Sequence, residues 1–473
     1  MRKRVVVIGG GIAGLSAAHR LVELGRDEDL DLEVLILEST DRAGGVISTI
    51  EKDGFLIEEG PDAFITTKPW ALELCGRLGL TGEFIETEKD NRRAFVLLNN
   101  ELIPIPEGFQ MLAPGSLLTF LKTPLFTWRG KARMLMDLVL PRKQVRDESL
   151  ASFVRRRLGT EALERAAQPM ISGVYTSDPE TLSLSATMPQ FIRMEEKYGS
   201  VIKGIYRSQR DNSKQGKDSG ARYSLFLSFK RGMGTLVDAL LEKLPPGSLK
   251  LNRKVERIER NGEGWSVVSK DGVEKADGVV IAAPSYTAAK FLESADPSLA
   301  QDLRTIEYAS SAVVISVHKK KDIAHNLDGF GFVVPAVENS RLIACSFSSV
   351  KFKGRAPEDS VILRSFVGGA LDPSVLGLED RELIQITQKE ISAVLGINSD
   401  PLFTILKRYP DAMPQYNLGH LDLVGRIKEK VNKHNGLEVA GSAYEGVGIP
   451  DCVHSGEKAA HAIIETLFNN KSK

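Results

Sequence analysis

The chain has 473 residues, in which 62 lysines and arginines balance 62 aspartates and glutamates. That length exceeds what one hydrophobic core supports, so two or three domains are expected. The balanced charge excludes the net-basic footprint of a nucleic-acid-binding protein. Three cysteines far apart (Cys75, Cys345 and Cys452), with no CxxC, exclude a disulfide framework.

The opening "MRKRVVVIGGGIAGLSAA" has the basic-then-apolar order of a leader. Three glycines cut the apolar run, however, and "HRLVELG" continues as helix rather than as a cleavage region. "RVVVIGG" reads instead as a buried strand and "GIAGLSAAHRLVELG" as a helix. Between them Gly9, Gly11 and Gly14 hold the G-x-G-x-x-G spacing, with Gly10, Ile12 and Ala13 filling it. Gly9 permits a tight turn, Gly11 lets backbone approach a pyrophosphate, and Gly14 lets helix pack on strand. A second strand, "LEVLILE", ends at Glu38, placed to accept hydrogen bonds from a ribose diol, with Ser39 beside it. "STDRAGGVIST" then sets an arginine before a glycine pair. This resembles the second signature of the two-dinucleotide-binding-domain flavoproteins, which NAD dehydrogenases lack, and implies FAD.

"GPDAFITTKPW" is a turn leading into a helix start, and the chain to about Arg207 reads as mostly helical. Within it, "GSLLTFLKTPLFTWRGKARMLMDLVLP" fits either a buried helical subdomain or a face lying on a membrane. Residues Ser208 to Arg222 are polar and read as a flexible loop. Strand, glycine turn and helix follow in "YSLFLSFKRGMGTLVDALLEKL". A strand pair follows around Asn261-Gly262, then a buried strand in "ADGVVIAAP". "SSAVVISV", "GFGFVVP" and "SVILRSFVGGA" form a second sheet that walls a cavity. "LEVAG" is a last strand, and Pro450 suits the first turn of the helix after it. "YEGVGIPD" is therefore a loop feeding a helix N-terminus, whose amides favour negative charge such as that of a reduced flavin.

Seven histidines form no HxH or HExxH pattern, so no metal is expected. There is no GxSxG elbow either. No run reaches the roughly 18 apolar residues of a membrane span, and a cytoplasmic protein is expected.

The stretches "VVVIGGGIAGLSAA", "RAGGVIST", "EEGPDAF", "QPMISGVYTSDPETLSLSATMPQF", "RGMGTL", "MPQYNLGH" and "EGVGIPDC" cover nearly the whole chain. Together they resemble the oxygen-dependent, FAD-containing porphyrinogen oxidases, on the side of the bacterial coproporphyrinogen enzymes. The resemblance implies an α/β fold. A Rossmann-like FAD domain of the amine-oxidase type would take residues 1–75, 224–300 and 405–473. A helical subdomain would take 76–207, and a mixed-sheet substrate domain 301–404. It implies FAD contacts from Gly9 to Gly14, Glu38 and Ser39, Val46, Gly60, Pro61, Asp62 and Ala63. Val255 would lie near the adenine, Tyr409 near the ring, and Val447, Gly448 and Ile449 at the flavin's polar edge. Tyr409 stands where the family pattern leads one to expect tryptophan. No cysteine lies between Cys345 and Cys452, so non-covalent FAD is implied.

The resemblance further implies three two-electron oxidations of coproporphyrinogen III, with O2 reduced to H2O2, in haem synthesis, and hand-over of porphyrin to a ferrochelatase. Lys68 would face a propionate, the Gly173 carbonyl the pyrrole N–H groups, and Leu327 and Phe366 the macrocycle. Lys68 reads equally as a solvated loop lysine, and Leu327 and Phe366 as core. The alternatives are a protoporphyrinogen IX oxidase, an amine oxidase, or a flavin protein that binds porphyrin without oxidising it.

Overall fold

The computed structural model describes residues 2–469, except 91, 107, 108, 111, 144, 216–224 and 263. The β-branched N-terminal run forms strand Lys3–Ile8, and helix Ile12–Asp27 follows directly after the glycines. That strand is the middle of a five-stranded parallel sheet. In spatial order the strands are Leu249–Lys250, Leu32–Leu37, Lys3–Ile8, Gly278–Ile281 and Leu437–Val439. Val5 and Val7 point into one core, against the first and last helices. Val6 and Ile8 point into another, against Val255, Trp265 and Phe291. Burial on both faces explains why the run is continuously apolar rather than alternating. The C-terminal helix Ile449–Ile464 packs on Ile12–Asp27 at backbone distance: a Cβ on Gly456 would lie 2.2 Å from the Ala13 carbonyl oxygen.

The second sheet has seven strands, Phe403–Pro414, Tyr308–Lys319, Ser360–Gly368, Leu342–Phe347, Gly331–Val333, Phe95–Leu98 and Glu101–Pro104. It is antiparallel except where Phe95–Leu98 runs parallel to Gly331–Val333. Its register aligns Val96, Val333, Ala344, Phe366, Val313 and Lys407 across one face. The opposite face carries Phe332, Cys345, Leu363 and Val367, packed with Leu383 and Ile391 of helix Asp380–Leu395.

The sheets redraw the expected boundaries. Phe95–Leu98 and Glu101–Pro104 belong to this sheet, although 76–207 reads as mainly helical. The boundary expected at 405 falls inside strand Phe403–Pro414, because that strand pairs with Tyr308–Lys319 along its whole length. Helix Val201–Gln215 also runs past Ser208, where a loop was expected. The polar residues up to Gln215 include no glycine or proline to stop it. Residues 216–222 of that expected loop lie outside the described residues.

Helices Leu150–Arg157, Gln168–Tyr175, Pro189–Tyr198 and Val201–Gln215 pack around Phe120, Phe153 and Phe191. In the segment that offered two readings, Phe120, Leu125, Phe126 and Met134 are core. Leu118, Trp128 and Val139 stand exposed at 75%, 73% and 80%. Among the described residues no helix is long and apolar enough to cross a membrane.

One fully buried ion pair ties the helical part together. Arg157 Nε lies 2.6 Å from Asp137 Oδ1, and its other nitrogens reach the carbonyls of Asp137, Leu140, Pro141 and Gly199. Asp137 Oδ2 accepts from the Ser200 hydroxyl and the Ile202 amide. Every charge is therefore satisfied, and removing one partner strands the other. Asp137→Ala is expected to cost about 3–5 kcal/mol. The double replacement Asp137→Leu with Arg157→Met should cost less. Urea-unfolding midpoints of the three proteins check this.

Candidate active site

The glycines of the first turn differ in what surrounds them. Gly9 has φ +109°, and a Cβ on it would lie 2.4 Å from the Ala282 carbonyl oxygen. A Cβ on Gly14 would lie 2.0 Å from the Gly9 carbonyl oxygen. A Cβ on Gly11 would meet only Gly45 Cα, at 4.0 Å. Gly9 and Gly14 are thus required by the protein's own packing, whereas Gly11 faces open space. That space lies at the N-terminus of Ile12–Asp27, where no side chain caps the helix and the helix dipole favours an anion.

Glu38 is buried at the end of the second strand. Its Oε2 accepts from the Gly10 amide at 2.6 Å, and its Oε1 accepts from the Thr40 amide and hydroxyl, both at 2.8 Å, and from Ser39 Oγ at 3.2 Å. Besides any ribose role, it fastens the glycine turn to the next strand. Arg42 holds the glycine pair by donating to the carbonyls of Gly45 (2.6 Å) and Ile47 (2.9 Å). Val46, after that pair, is 48% exposed. Val255 is buried near this turn, two residues after Arg253, whose amide donates to the Glu38 carbonyl at 2.7 Å.

Gly60 begins the next piece. A Cβ on it would lie 1.8 Å from the Val46 carbonyl oxygen, so the two loops touch through backbone. The Gly60 carbonyl accepts from the buried Arg364 guanidinium. Pro61, Asp62 and Ala63 follow, and Asp62 pairs with Lys351 (3.0 Å) and Arg364 (3.5 Å). Burial alone would raise the Asp62 carboxyl, but Lys351 and Arg364 hold it below the usual carboxylate range. Tyr409 reaches the same place. Its hydroxyl is buried without a hydrogen-bond partner, 3.6 Å from where a Gly60 Cβ would sit, and burial pushes the phenol up to about 12.

The sheet face beside Tyr409 carries the cations Arg364 and Lys407 and, next to them, apolar side chains. Phe366 sits on it opposite Val313 and Ala344, and Gly173 approaches it, its Cβ position 3.6 Å from Val333 and 3.9 Å from Ala344. Gly173 and Phe366 therefore share one wall. Leu327 does not belong to it. It is buried in the cluster on the opposite face, with Phe95 and Phe332, its amide donating to His325 Nδ1 at 2.9 Å. Strand alternation sends Phe332 and Val333 to different faces, and Leu327 packs with the former.

The C-terminal loop closes the site. Gly448 is the N-cap of Ile449–Ile464, and Val447 packs partly against the helical cluster that holds Tyr416. Lys68 is not free: its Nζ lies 2.6 Å from Asp451 Oδ1. Two residues on, Trp70 stacks on His454 with ring centroids 4.0 Å apart. Cys75, Cys345 and Cys452 are all buried and unpaired, and burial pushes each thiol up to about 12. Among the described residues no cluster of ligands could hold a metal ion.

Arg364, Lys351 and Asp451 are site residues that sequence reasoning did not single out. Arg364 had a readable signal, a lone base inside the apolar strand "SVILRSFV". Asp451 had one in its place on the first helical turn beyond two glycines. Lys351 had none.

The family of flavin containing amine oxidoreductases matches residues 12–464 of this chain. The chain belongs to that family. It is 34% identical over 471 residues to the coproporphyrinogen III oxidase of Bacillus subtilis (strain 168), covering 99% of each chain. It is 33% identical to the Staphylococcus aureus (strain NCTC 8325 / PS 47) enzyme of the same name, over 99% of this chain and 100% of that one. A solved structure from Exiguobacterium sp. 255-15, named for protoporphyrinogen oxidase, superposes with a TM-score of 0.86 at 31% identity, covering 98% of this chain and 99% of that one. As a family member the chain is a flavin oxidoreductase, and its residues fit the cofactor: open space at Gly11, a helix N-terminus without a side-chain cap and a buried phenol without a partner.

The glycines give a paired test. Gly11→Val meets no protein atom closely, so the chain should fold while flavin absorbance is lost. Gly14→Val collides with the Gly9 carbonyl and should lose the fold itself. Circular dichroism and the flavin spectrum of both variants check this.

Proposed function

We propose that the chain oxidises coproporphyrinogen III to coproporphyrin III, using one non-covalently held FAD. Gly9, Gly10, Gly11, Ile12, Ala13 and Gly14 would hold the pyrophosphate. Glu38 and Ser39 would hold the ribose, and Val255 the adenine. Val46, the loop Gly60, Pro61, Asp62 and Ala63, Tyr409, and Val447, Gly448 and Ile449 would hold the flavin end. The observation that carries this reading is the junction at Tyr409. A buried hydroxyl without a partner and a backbone-lined loop come together there, on the same sheet face that carries Phe366 and, further across, Val333 with Gly173 beside it.

Bound there, FAD supplies a two-electron acceptor. The chain's own residues do the rest. Arg364, through the Gly60 carbonyl and Asp62, fixes the loop against the second sheet. The apolar wall excludes water and receives the macrocycle. The Gly173 carbonyl accepts from pyrrole N–H groups, and Lys68 offers charge to a propionate. Porphyrinogen loses six electrons and six protons, and three O2 become three H2O2. We further propose a cytoplasmic protein that meets a lipid surface through Leu118, Trp128 and Val139, and passes porphyrin to a ferrochelatase.

The relative named for protoporphyrinogen oxidase supports protoporphyrinogen IX as a second reading. The test measures porphyrin fluorescence and H2O2 for both substrates with purified protein in air. Three H2O2 per porphyrin and a larger kcat/KM for coproporphyrinogen III are expected. Preference for protoporphyrinogen would favour the second reading, and turnover of neither would end both.

A further inference from the structure

We infer that Asp451 determines specificity at the substrate entrance: it is the resident carboxylate on Lys68, so a substrate carboxylate gains that lysine only in competition with it. The inference rests on the porphyrinogen reading above and adds a second residue to it.

Lys68 and Asp451 are 383 residues apart in sequence and 2.6 Å apart in space. Their exposures differ sharply: the lysine side chain is 44% exposed and the aspartate 9%. The half-exposed lysine side chain thus ends on a carboxylate that lies largely buried. Asp451 is seated against the backbone of its own loop. A Cβ on Gly446 would lie 2.3 Å from Asp451 Cγ, and a Cβ on Gly448 would lie 3.1 Å from Asp451 Oδ2. Both glycines of "EGVGIPD" thus leave room for this carboxylate. Tyr175 and Cys452, which feel the same charge, are kept protonated by burial, with pKa values near 12.

Lys68 offers three N–H donors, and Asp451 takes one. A paired lysine is electrically neutral at a distance, so it attracts a second carboxylate less than a free one does. The lysine's place does not depend on the pair alone. Pro69 stiffens the chain beside it, and the Trp70–His454 stack docks the same segment on the C-terminal helix. Removing the charge of Asp451 therefore frees the ammonium without releasing the segment that carries it.

The test uses three flavin-loaded variants, Asp451→Asn, Lys68→Gln and the double, with coproporphyrinogen III and its tetramethyl ester as substrates. Binding of the product coproporphyrin III, read by fluorescence, gives a measure independent of turnover. Asp451→Asn should lower the KM of the acid and the Kd of coproporphyrin III by about two- to fivefold, the range of a half-exposed ion pair. The ester should shift far less. Lys68→Gln should raise both acid constants, since it leaves a buried carboxylate facing the substrate. The double variant replaces a neutral ion pair with a neutral amide pair and should return them close to wild type. An acid KM that is unchanged or raised in flavin-replete Asp451→Asn overturns the inference. So does a double variant as poor as Lys68→Gln. Wild-type protein that oxidises no porphyrinogen overturns the functional reading itself, and the inference with it.

Discussion

Three stretches of chain meet at backbone distance, and only glycine allows it. Gly9 lies against the Ala282 carbonyl, Gly14 against Gly9, and Gly456 against Ala13. The first contact fixes the turn on the parallel sheet and the second seats the first helix. The third lays the last helix on the first. A methyl group at any of them would push one element off another, and the loops that the elements carry would move with it. The separation of about an ångström that catalysis tolerates is therefore fixed by packing well away from the reacting atoms.

The second constraint is electrostatic. Arg364 rises from the middle of the seven-stranded sheet and reaches the Gly60 carbonyl and Asp62. Arg355 and Glu58 form a parallel buried contact, with Arg355 also bonded to Ser228 and Phe229. These charges gain little net stability once desolvation is counted. They do require a definite placement of one sheet against the other, because a shift would leave a buried ion alone. Burial raises the Glu58 carboxyl, whereas Asp62, with two cations at hand, is held low. The loop of Gly60, Pro61, Asp62 and Ala63 thus carries a firmly ionised group on a firmly fixed backbone.

Much of this was legible in the sequence, and the reasons differ by residue. The first strand, the glycine turn, the first helix and Glu38 follow one another within forty residues, so spacing alone carries their geometry. Pro450 and its helix were readable for the same reason. The wall formed by Gly173 and Phe366 depends on register between distant strands. Leu327 shows the limit: a shift from one sheet face to the other is invisible without knowing which neighbours it packs against. Lys68 was noticed, but its partner lies at the other end of the chain. The helix through Gln215 misled because its polar composition resembles a loop while nothing in it breaks a helix.

The strand Leu437–Val439 and the helix Ile449–Ile464 belong structurally to the beginning of the chain. Their contacts with Gly278–Ile281 and with Ile12–Asp27 span up to several hundred residues. During synthesis the glycine turn leaves the ribosome long before the elements that complete its surroundings. The nascent chain must therefore keep an apolar helix face and a sheet edge uncovered while the helical part and the second sheet are still being made. Such long-range closure is slow and leaves sticky surface exposed. An early-binding dinucleotide would help, since Gly9–Gly14 and Glu38 are already present to receive it. On the proposed reading, cofactor supply would bear on the yield of folded protein as well as on its activity.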